Sequence, residues 1–262
     1  RARRVSHRAG PVTWAAQEGC HCGSLHLGGR VQAVRLRSAV GLVPLIACEV
    51  LEQDVIDRLP GFKRRLQWFL ENRQDLASHI AYLEHHHEDG SPNGHSHRLL
   101  AIPTRERLER VLRVALDENE FLSPYGLRSL SRRYAGQPYE FPVDGTTYRV
   151  DYSPAEGTTG LFGGNSNWRG PVWFPINYLL IEALERYHHF YGDSFKVECP
   201  TGSGRWLDLR QVAEELATRM SALFLPGADD KRPFAGGDAR FADDPPVRGL
   251  TLFTESFHGG PG

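Results

Sequence analysis

The segment Asn165-Ser-Asn-Trp-Arg-Gly-Pro-Val-Trp-Phe-Pro175 runs directly into a pattern that is typical of a buried helix. Apolar residues recur at helical spacing over residues 176–191, and Gly192 follows in the position of a C-cap. The residues before the helix are rich in glycine, asparagine and tryptophan, which favours irregular structure. The sequence therefore predicts a long loop over residues 160–175 that leads into a helix over residues 176–191.

Four further helices are predicted outward from this segment by apolar residues at helical spacing. They cover residues 38–53 with a kink at Pro44, residues 60–72, residues 104–120 with Thr104 as N-cap, and residues 208–225 with Asp208 as N-cap. Two alternating runs flank Asp144-Gly145 and predict a β-hairpin over residues 139–152. Residues 84–97 are predicted as a polar loop. No stable element is predicted for residues 1–37.

The composition excludes several classes of protein. The 262 residues carry 31 Lys+Arg against 32 Asp+Glu, so the net charge of −1 argues against a nucleic-acid binder. No apolar run reaches the roughly 18 residues of a membrane span. The four cysteines are too few and too irregularly spaced for a disulfide framework, so we expect a reducing, cytoplasmic location. Residue 1 is an arginine, and we expect a fragment that is truncated at both ends.

The loop that opened this section has the composition of a carbohydrate site. Indole rings pack on the C–H faces of sugars, while asparagine and arginine side chains donate hydrogen bonds to vicinal hydroxyls. The alternative is that the two tryptophans simply anchor the loop on the core. The candidate substrate-binding residues are Asn165, Asn167, Trp168, Arg169, Gly170 and Trp173.

Hydrolysis of a glycosidic bond normally requires two carboxyl groups. Glu255 is the best candidate for one of them, because it lies between Phe253 and Phe257 and an apolar environment suits a carboxylate that acts as a base near neutral pH. The alternative is an ordinary surface glutamate near a frayed chain end. Three weaker candidates are Asp151, Glu156 and Glu198.

A run of histidines raises the question of a metal. Five of them fall within 13 residues, at positions 85, 86, 87, 95 and 97. Adjacent histidines project in diverging directions, whereas zinc sites need ligands held by paired elements. We therefore predict a solvated loop, with no metal and no organic cofactor. Gly163-Gly164 lacks the surroundings of a phosphate-binding loop, which disfavours a nucleotide.

Four strings carry a resemblance to a known family. They are Ser38-Ala-Val-Gly-Leu-Val-Pro-Leu45, Leu59-Pro-Gly-Phe-Lys-Arg-Arg-Leu66, Asp117-Glu-Asn-Glu-Phe-Leu-Ser-Pro-Tyr-Gly126 and Gly160-Leu-Phe-Gly-Gly-Asn-Ser-Asn-Trp-Arg-Gly-Pro-Val-Trp173. In this order they resemble the C-terminal catalytic region of bacterial glycoside hydrolase family 63, the mannosyl-oligosaccharide glucosidase-like group. The resemblance covers residues 35–258. It implies an all-α fold, an incomplete (α/α)6 toroid of helical hairpins with a small β-hairpin insertion.

The resemblance also implies an activity. It suggests an exo-acting, inverting α-glycosidase of the α-glucosidase type, acting on terminal α-linked sugars of oligosaccharides or small glycosides. Glu255 matches the family's general base, although Ser256 departs from the pattern at the next position. The family's acid, an aspartate, precedes the matching region, so we expect this chain to lack it. The alternative function is a non-catalytic carbohydrate-binding module; the oligomeric state stays open.

The resemblance divides the chain into two parts. Residues 38–262 are expected to form the partial toroid. Residues 1–37 depart from the family pattern and are expected to be poorly ordered or aberrant.

Overall fold

The computed structural model describes residues 12–77, 81–85, 97–157, 159–227, 232–235 and 250–260. The described part of the chain contains six α-helices, which vary from one turn to five. They are α1 (Gln53–Arg58), α2 (Pro60–Asn72), α3 (Gln74–Ala77), α4 (Arg105–Ala115), α5 (Phe174–Tyr191) and α6 (Leu209–Ala222).

Fourteen short strands accompany the helices within the same described residues. They are β1 (Val12–Ala15), β2 (Cys20–Leu27), β3 (Arg30–Val34), β4 (Cys48–Glu52), β5 (Ala81–His85), β6 (His97–Ala101), β7 (Leu122–Ser123), β8 (Gly126–Leu127), β9 (Tyr139–Val143), β10 (Thr146–Val150), β11 (Val172–Trp173), β12 (Lys196–Glu198), β13 (Trp206–Asp208) and β14 (Ser256–Phe257). They pair in small antiparallel sheets, with the orders β1-β2-β3 and β4-β6-β5 and four two-stranded pairs, β7-β8, β9-β10, β11-β14 and β12-β13.

The core forms where α5 packs against α6 and against strand β4. Each element contributes one apolar face, as its periodicity requires. The buried apolar residues of α5 are Leu180, Ala183, Leu184, Tyr187 and Phe190. Those of α6 include Val212, Leu216 and Met220, and α4 adds Leu108, Val111 and Leu112. The long helix α5 therefore connects the candidate loop, at its start, to the centre of the molecule.

Five predicted elements are confirmed: the four helices α2, α4, α5 and α6, and one hairpin. Helix α2 covers residues 60–72 as predicted. The Thr104 side chain caps α4, the Asp208 side chain caps α6 within a capping box, and Gly192 ends α5. The predicted hairpin is β9-β10, in which Asp144 adopts a φ of 47° in the turn. These elements carry their own stop and start signals, so local reasoning was enough.

The predicted helix over residues 38–53 is wrong. Two single 3₁₀ turns, Ala39–Gly41 and Val43–Leu45, are followed by strand β4. Pro44 lacks the N–H that a continuing helix needs. Beyond Pro44, the backbone of β4 forms hydrogen bonds with β6 in place of the hydrogen bonds of a helix. This pairing joins segments that are distant in sequence, so helical periodicity does not reveal it.

Residues 1–37 and 84–97 also contain strands that the sequence did not predict. Residues 12–34 form the antiparallel sheet β1-β2-β3, in which Cys20, His21 and Cys22 are buried. The ends of the predicted loop form β5 and β6, which pair His85 with His97 in register. His86, His87 and His95 lie outside the described residues.

The described part of the chain is thus mixed, with helices and small sheets, where an all-α fold with one hairpin was predicted. The toroid and the division after residue 37 stay predictions. No helix in the described ranges is both long and apolar enough to cross a membrane.

Candidate functional site

The C-terminal segment lies against the start of α5. Strand β14 pairs with β11, which places Val172 opposite Phe257 and Trp173 opposite Ser256. The Phe174 amide donates a hydrogen bond of 2.9 Å to the carbonyl oxygen of Glu255. Two stretches more than 80 residues apart in sequence, both identified as candidate site segments, are therefore neighbours in the structure.

Glu255 is directly joined to the tryptophan-rich loop. The indole Nε1 of Trp173 donates a 2.9 Å hydrogen bond to its carboxylate Oε1. The expected enclosure between two phenylalanines is wrong, however, because Phe253 is 72% exposed while Phe257 is only 5% exposed, and Glu255 itself is exposed. In this chain the carboxylate is positioned by a donor and not by an apolar pocket.

The two tryptophans of the loop contact each other. The rings of Trp168 and Trp173 lie 4.6 Å apart between centroids and are inclined at 72°, an edge-to-face arrangement. Both side chains are half-buried. Trp168 also lines a surface pocket with His21 of β2 and Val34 of β3. The pair is fixed on one side and keeps indole surface open on the other.

The two asparagines of the loop differ in what they offer. The Asn165 side chain accepts a 2.9 Å hydrogen bond from the Asn167 amide and caps a 3₁₀ turn, Ser166–Trp168. Asn165 is exposed, whereas Asn167 is buried. Asn165 can therefore face a ligand, and Asn167 shapes the turn that presents Trp168.

Arg169 anchors the loop through its buried side chain. It is only 1% exposed, and its guanidinium donates hydrogen bonds to Asp151 at 3.0 Å and to Thr159 at 2.7 Å. A charge this deeply buried requires partners of this kind. Two nitrogens of the guanidinium are thus bound within the protein, and the contact between Arg169 and a substrate stays a prediction.

Gly170 allows the closest backbone contact of the site. Its φ of 141° is unfavourable for other residues, and a Cβ atom there would lie 2.4 Å from the Ser153 carbonyl oxygen. Its amide donates to Ser129 Oγ at 3.0 Å. Gly170 thus lets the loop approach residues 152–153, while its predicted contact with substrate stays a prediction.

A buried arginine that the sequence did not single out, Arg128, binds the segment that follows Glu255. Arg128 Nε donates to the Gly259 carbonyl oxygen at 2.8 Å and to the Tyr152 hydroxyl at 3.2 Å. Burial lowers the pKa of Arg128 and raises that of Tyr152, and the attraction between the two groups partly offsets both effects. No motif marks Arg128 among the many arginines of this chain, so only the fold reveals its position.

The three weaker carboxylate candidates all have structural partners. Asp151 pairs with Arg169, and Glu156 accepts a 2.6 Å hydrogen bond from Ser166 Oγ. Backbone amides of Gly202 and Gly204 donate to Glu198 and hold its pKa below the usual range. These contacts favour their interpretation as structural acids.

Two groups of side chains in the described ranges place metal-binding atoms close together. One joins Glu52, His97 and His189, and the other joins His188, Asp193 and Asp208. Neither includes a residue of the tryptophan-rich loop or Glu255.

Comparison with known proteins places this chain in a family. The family model described as the mannosylglycerate hydrolase MGH1-like glycoside hydrolase domain matches residues 94–225, half of the chain, and includes the whole tryptophan-rich loop. The chain is 44% identical over 253 residues to the uncharacterized protein YMR196W of Saccharomyces cerevisiae, a match that covers 95% of the chain and 23% of that protein.

Two further relatives are named as glucosidases. The chain is 34% identical over 79 residues to a probable mannosyl-oligosaccharide glucosidase of Schizosaccharomyces pombe, and 34% identical over 83 residues to the mannosyl-oligosaccharide glucosidase of Saccharomyces cerevisiae. These matches cover 30% and 31% of the chain and 7% of each enzyme. The chain spans less than a quarter of the length of the curated relatives it matches.

The relatives come from yeasts, whereas the sequence strings had suggested bacterial members. Because the family model covers half of its residues, the chain belongs to the family of mannosylglycerate hydrolase MGH1-like glycoside hydrolase domains.

Proposed function

We propose that this chain is part of an exo-acting, inverting α-glycosidase that removes terminal α-linked sugars from oligosaccharides or small glycosides. The family supports glycoside hydrolysis in general, and the inverting, exo-acting mechanism is our inference. The observation that carries it is the hydrogen bond between Trp173 and Glu255, which joins an aromatic sugar-binding surface to a carboxylate.

Glu255 is the proposed general base. An exposed carboxylate that accepts one fixed indole N–H keeps its second oxygen for a water molecule. In an inverting reaction this group takes a proton from water while an acid on the opposite side of the sugar protonates the leaving oxygen. The two carboxyl groups then stand roughly 6.5–9.5 Å apart. We assign the acid to an aspartate outside this chain, as the family resemblance implies.

The proposed sugar contacts are Trp168, Trp173 and Asn165. Half-buried indoles offer apolar surface at little entropic cost, because their rings are already held. Arg169 and Asn167 act by holding the loop, and Gly170 by letting it approach its neighbours. The proposed substrates, mannosyl-oligosaccharides and small glycosides such as mannosylglycerate, follow the names of the family and of two relatives.

The first prediction concerns Glu255→Gln in the intact parent protein. Glutamine keeps the shape and can still accept from Trp173, but it cannot take a proton, so turnover should fall by at least about 100-fold with a smaller change in KM. Steady-state hydrolysis of an α-linked disaccharide measures this. Glu140→Gln, at an exposed position of β9, is the matched control and should keep full turnover.

Two outcomes would count against the proposal. Turnover of Glu255→Gln within about tenfold of the parent would remove Glu255 as the base. No hydrolysis by the parent, together with sugar binding that Trp168→Ala weakens, would instead identify a carbohydrate-binding module. Proton NMR of the first-formed product tests inversion separately, since an inverting enzyme releases the β-anomer from an α-linked substrate.

We further propose a cytoplasmic location. All four cysteines of the chain are buried and unpaired, which fits a reducing compartment. Cell fractionation of the tagged parent protein tests this.

A further inference from the structure

A compact group of ligating side chains lies far from the tryptophan-rich loop. It joins Glu52 at the end of β4, His97 at the start of β6 and His189 in the last turn of α5. His189 follows the first residue of α5 by 15 positions, about 22 Å along the helix axis. The group is therefore independent of the proposed site at the other end of the helix.

Both histidines converge on a single carboxylate. His97 Nδ1 lies 2.6 Å from Glu52 Oε2, and His189 Nε2 lies 2.7 Å from Glu52 Oε1. The two imidazole rings contact each other at 4.9 Å between centroids. Two nitrogens and two oxygens thus surround one small volume, and three different elements supply them.

The fold itself aligns these groups. Glu52 and His97 are register partners on neighbouring strands, and the sheet packs against α5 through Cys48, whose thiol contacts the carbonyl oxygen of Ala183. The side chain of His97 is 12% exposed, that of Glu52 30% and that of His189 54%. The group is therefore held from inside and open to solvent on the helix side, which gives an ion a path of entry.

The donor set is that of a transition-metal site. Two imidazole nitrogens with one carboxylate are typical zinc ligands, leaving a further position for water or another group. His189 Nε2 and Glu52 Oε1 form a hydrogen bond, whose proton a metal ion replaces when it binds. Admitting an ion with bonds of about 2.0–2.2 Å requires the ligand atoms to separate by less than about 1 Å. One of the three ligands is already on an exposed helix end.

We propose that Glu52, His97 and His189 bind one divalent transition-metal ion of the Zn²⁺ type. The site joins the end of α5 to the sheet β4-β6-β5 and has a structural role. It differs from the histidine-run hypothesis considered from sequence, because only one residue of that run takes part and the other two ligands come from distant elements.

Isothermal titration of the metal-free chain with Zn²⁺ tests the proposal. We expect one saturable site, which EDTA reverses, and a higher midpoint of thermal unfolding with Zn²⁺. His189→Ala and Glu52→Gln should each weaken that site by at least about tenfold. His26→Ala, which removes an exposed histidine in β2, should leave the affinity unchanged.

The outcomes separate the site from other sources of binding. Far-UV circular dichroism verifies that each variant is folded. Because the His189 side chain is largely exposed, we expect His189→Ala to fold. The visible absorption of bound Co²⁺ provides a second readout, whose ligand-field bands should be lost in His189→Ala. The proposal is overturned if the chain shows no saturable Zn²⁺ binding. It is also overturned if both variants bind as well as the parent chain, because the metal is then bound by other histidines.

Discussion

At the scale of single residues, the conformation of the tryptophan-rich loop depends on residues that hold it in place. Arg169 is buried and bound to Asp151 and Thr159, and Gly170 lacks the Cβ that would collide with the Ser153 carbonyl oxygen. The residues that were predicted to bind substrate therefore fall into two groups, those that face outward and those that hold the loop. Composition alone cannot separate them, because both groups belong to one short string.

Gly170→Ala tests the importance of this close approach. A Cβ 2.4 Å from a backbone oxygen, added at a φ of 141°, forces the backbone to move, and the strain should lower the free energy of unfolding by about 2 kcal/mol or more. Urea denaturation measures the change. Gly136→Ala is the matched control, since a Cβ there has no neighbour within 4 Å. An equal loss for the two variants would contradict the argument.

At the scale of elements, boundary signals decide which helices form where the sequence predicts them. In α6 the Asp208 carboxylate accepts from the Gln211 amide at 2.9 Å, while the Gln211 side chain accepts from the Asp208 amide at 3.1 Å. These bonds satisfy N–H groups that every helix start leaves open. The helix predicted over residues 38–53 has no such signal: Ser38 makes no capping bond, and Pro44 interrupts it.

Asp208→Ala should destabilise the chain by about 1 kcal/mol, since it removes the capping bond at the start of α6. Thermal unfolding followed by circular dichroism measures the loss. Asp193→Ala is the matched control. The Asp208 carboxylate lies 3.6 Å from His188 Nδ1 and the Asp193 carboxylate lies 3.8 Å from His188 Nε2, but only Asp208 caps a helix. An equal loss of stability in Asp193→Ala would show that the effect comes from the contact with His188 and not from the helix cap.

At the scale of the whole molecule, the C-terminal segment completes the site by docking on a distant part of the chain. Phe257 packs edge-to-face on Phe174 at 5.4 Å and on Phe224 at 5.3 Å between ring centroids. The Gly259 amide donates to the Pro154 carbonyl oxygen at 2.8 Å, and Arg128 binds the Gly259 carbonyl. Glu255 is therefore held next to Trp173 by contacts on the residues that follow it.

Phe257→Ala should weaken this docking and cost about 3 kcal/mol of stability, because the ring is buried among aromatic neighbours. Denaturant unfolding of the chain provides the measurement, and loss of the Trp173–Glu255 contact should appear as a change in tryptophan fluorescence. Phe253→Ala is the control from the same segment, and its 72% exposed ring should cost much less. Comparable losses would mean that the segment does not dock through Phe257.

The sequence by itself determined the helices α2, α4, α5 and α6, the hairpin at Asp144-Gly145 and the string that identifies the family, because caps, turn residues and helical periodicity are local properties. It also singled out Trp173 and Glu255. Only the tertiary structure placed these two side chains 2.9 Å apart, buried Arg169 and brought His97 to Glu52 and His189. Each of these results depends on strand pairing or packing between segments that are distant in sequence, and no local pattern records such contacts.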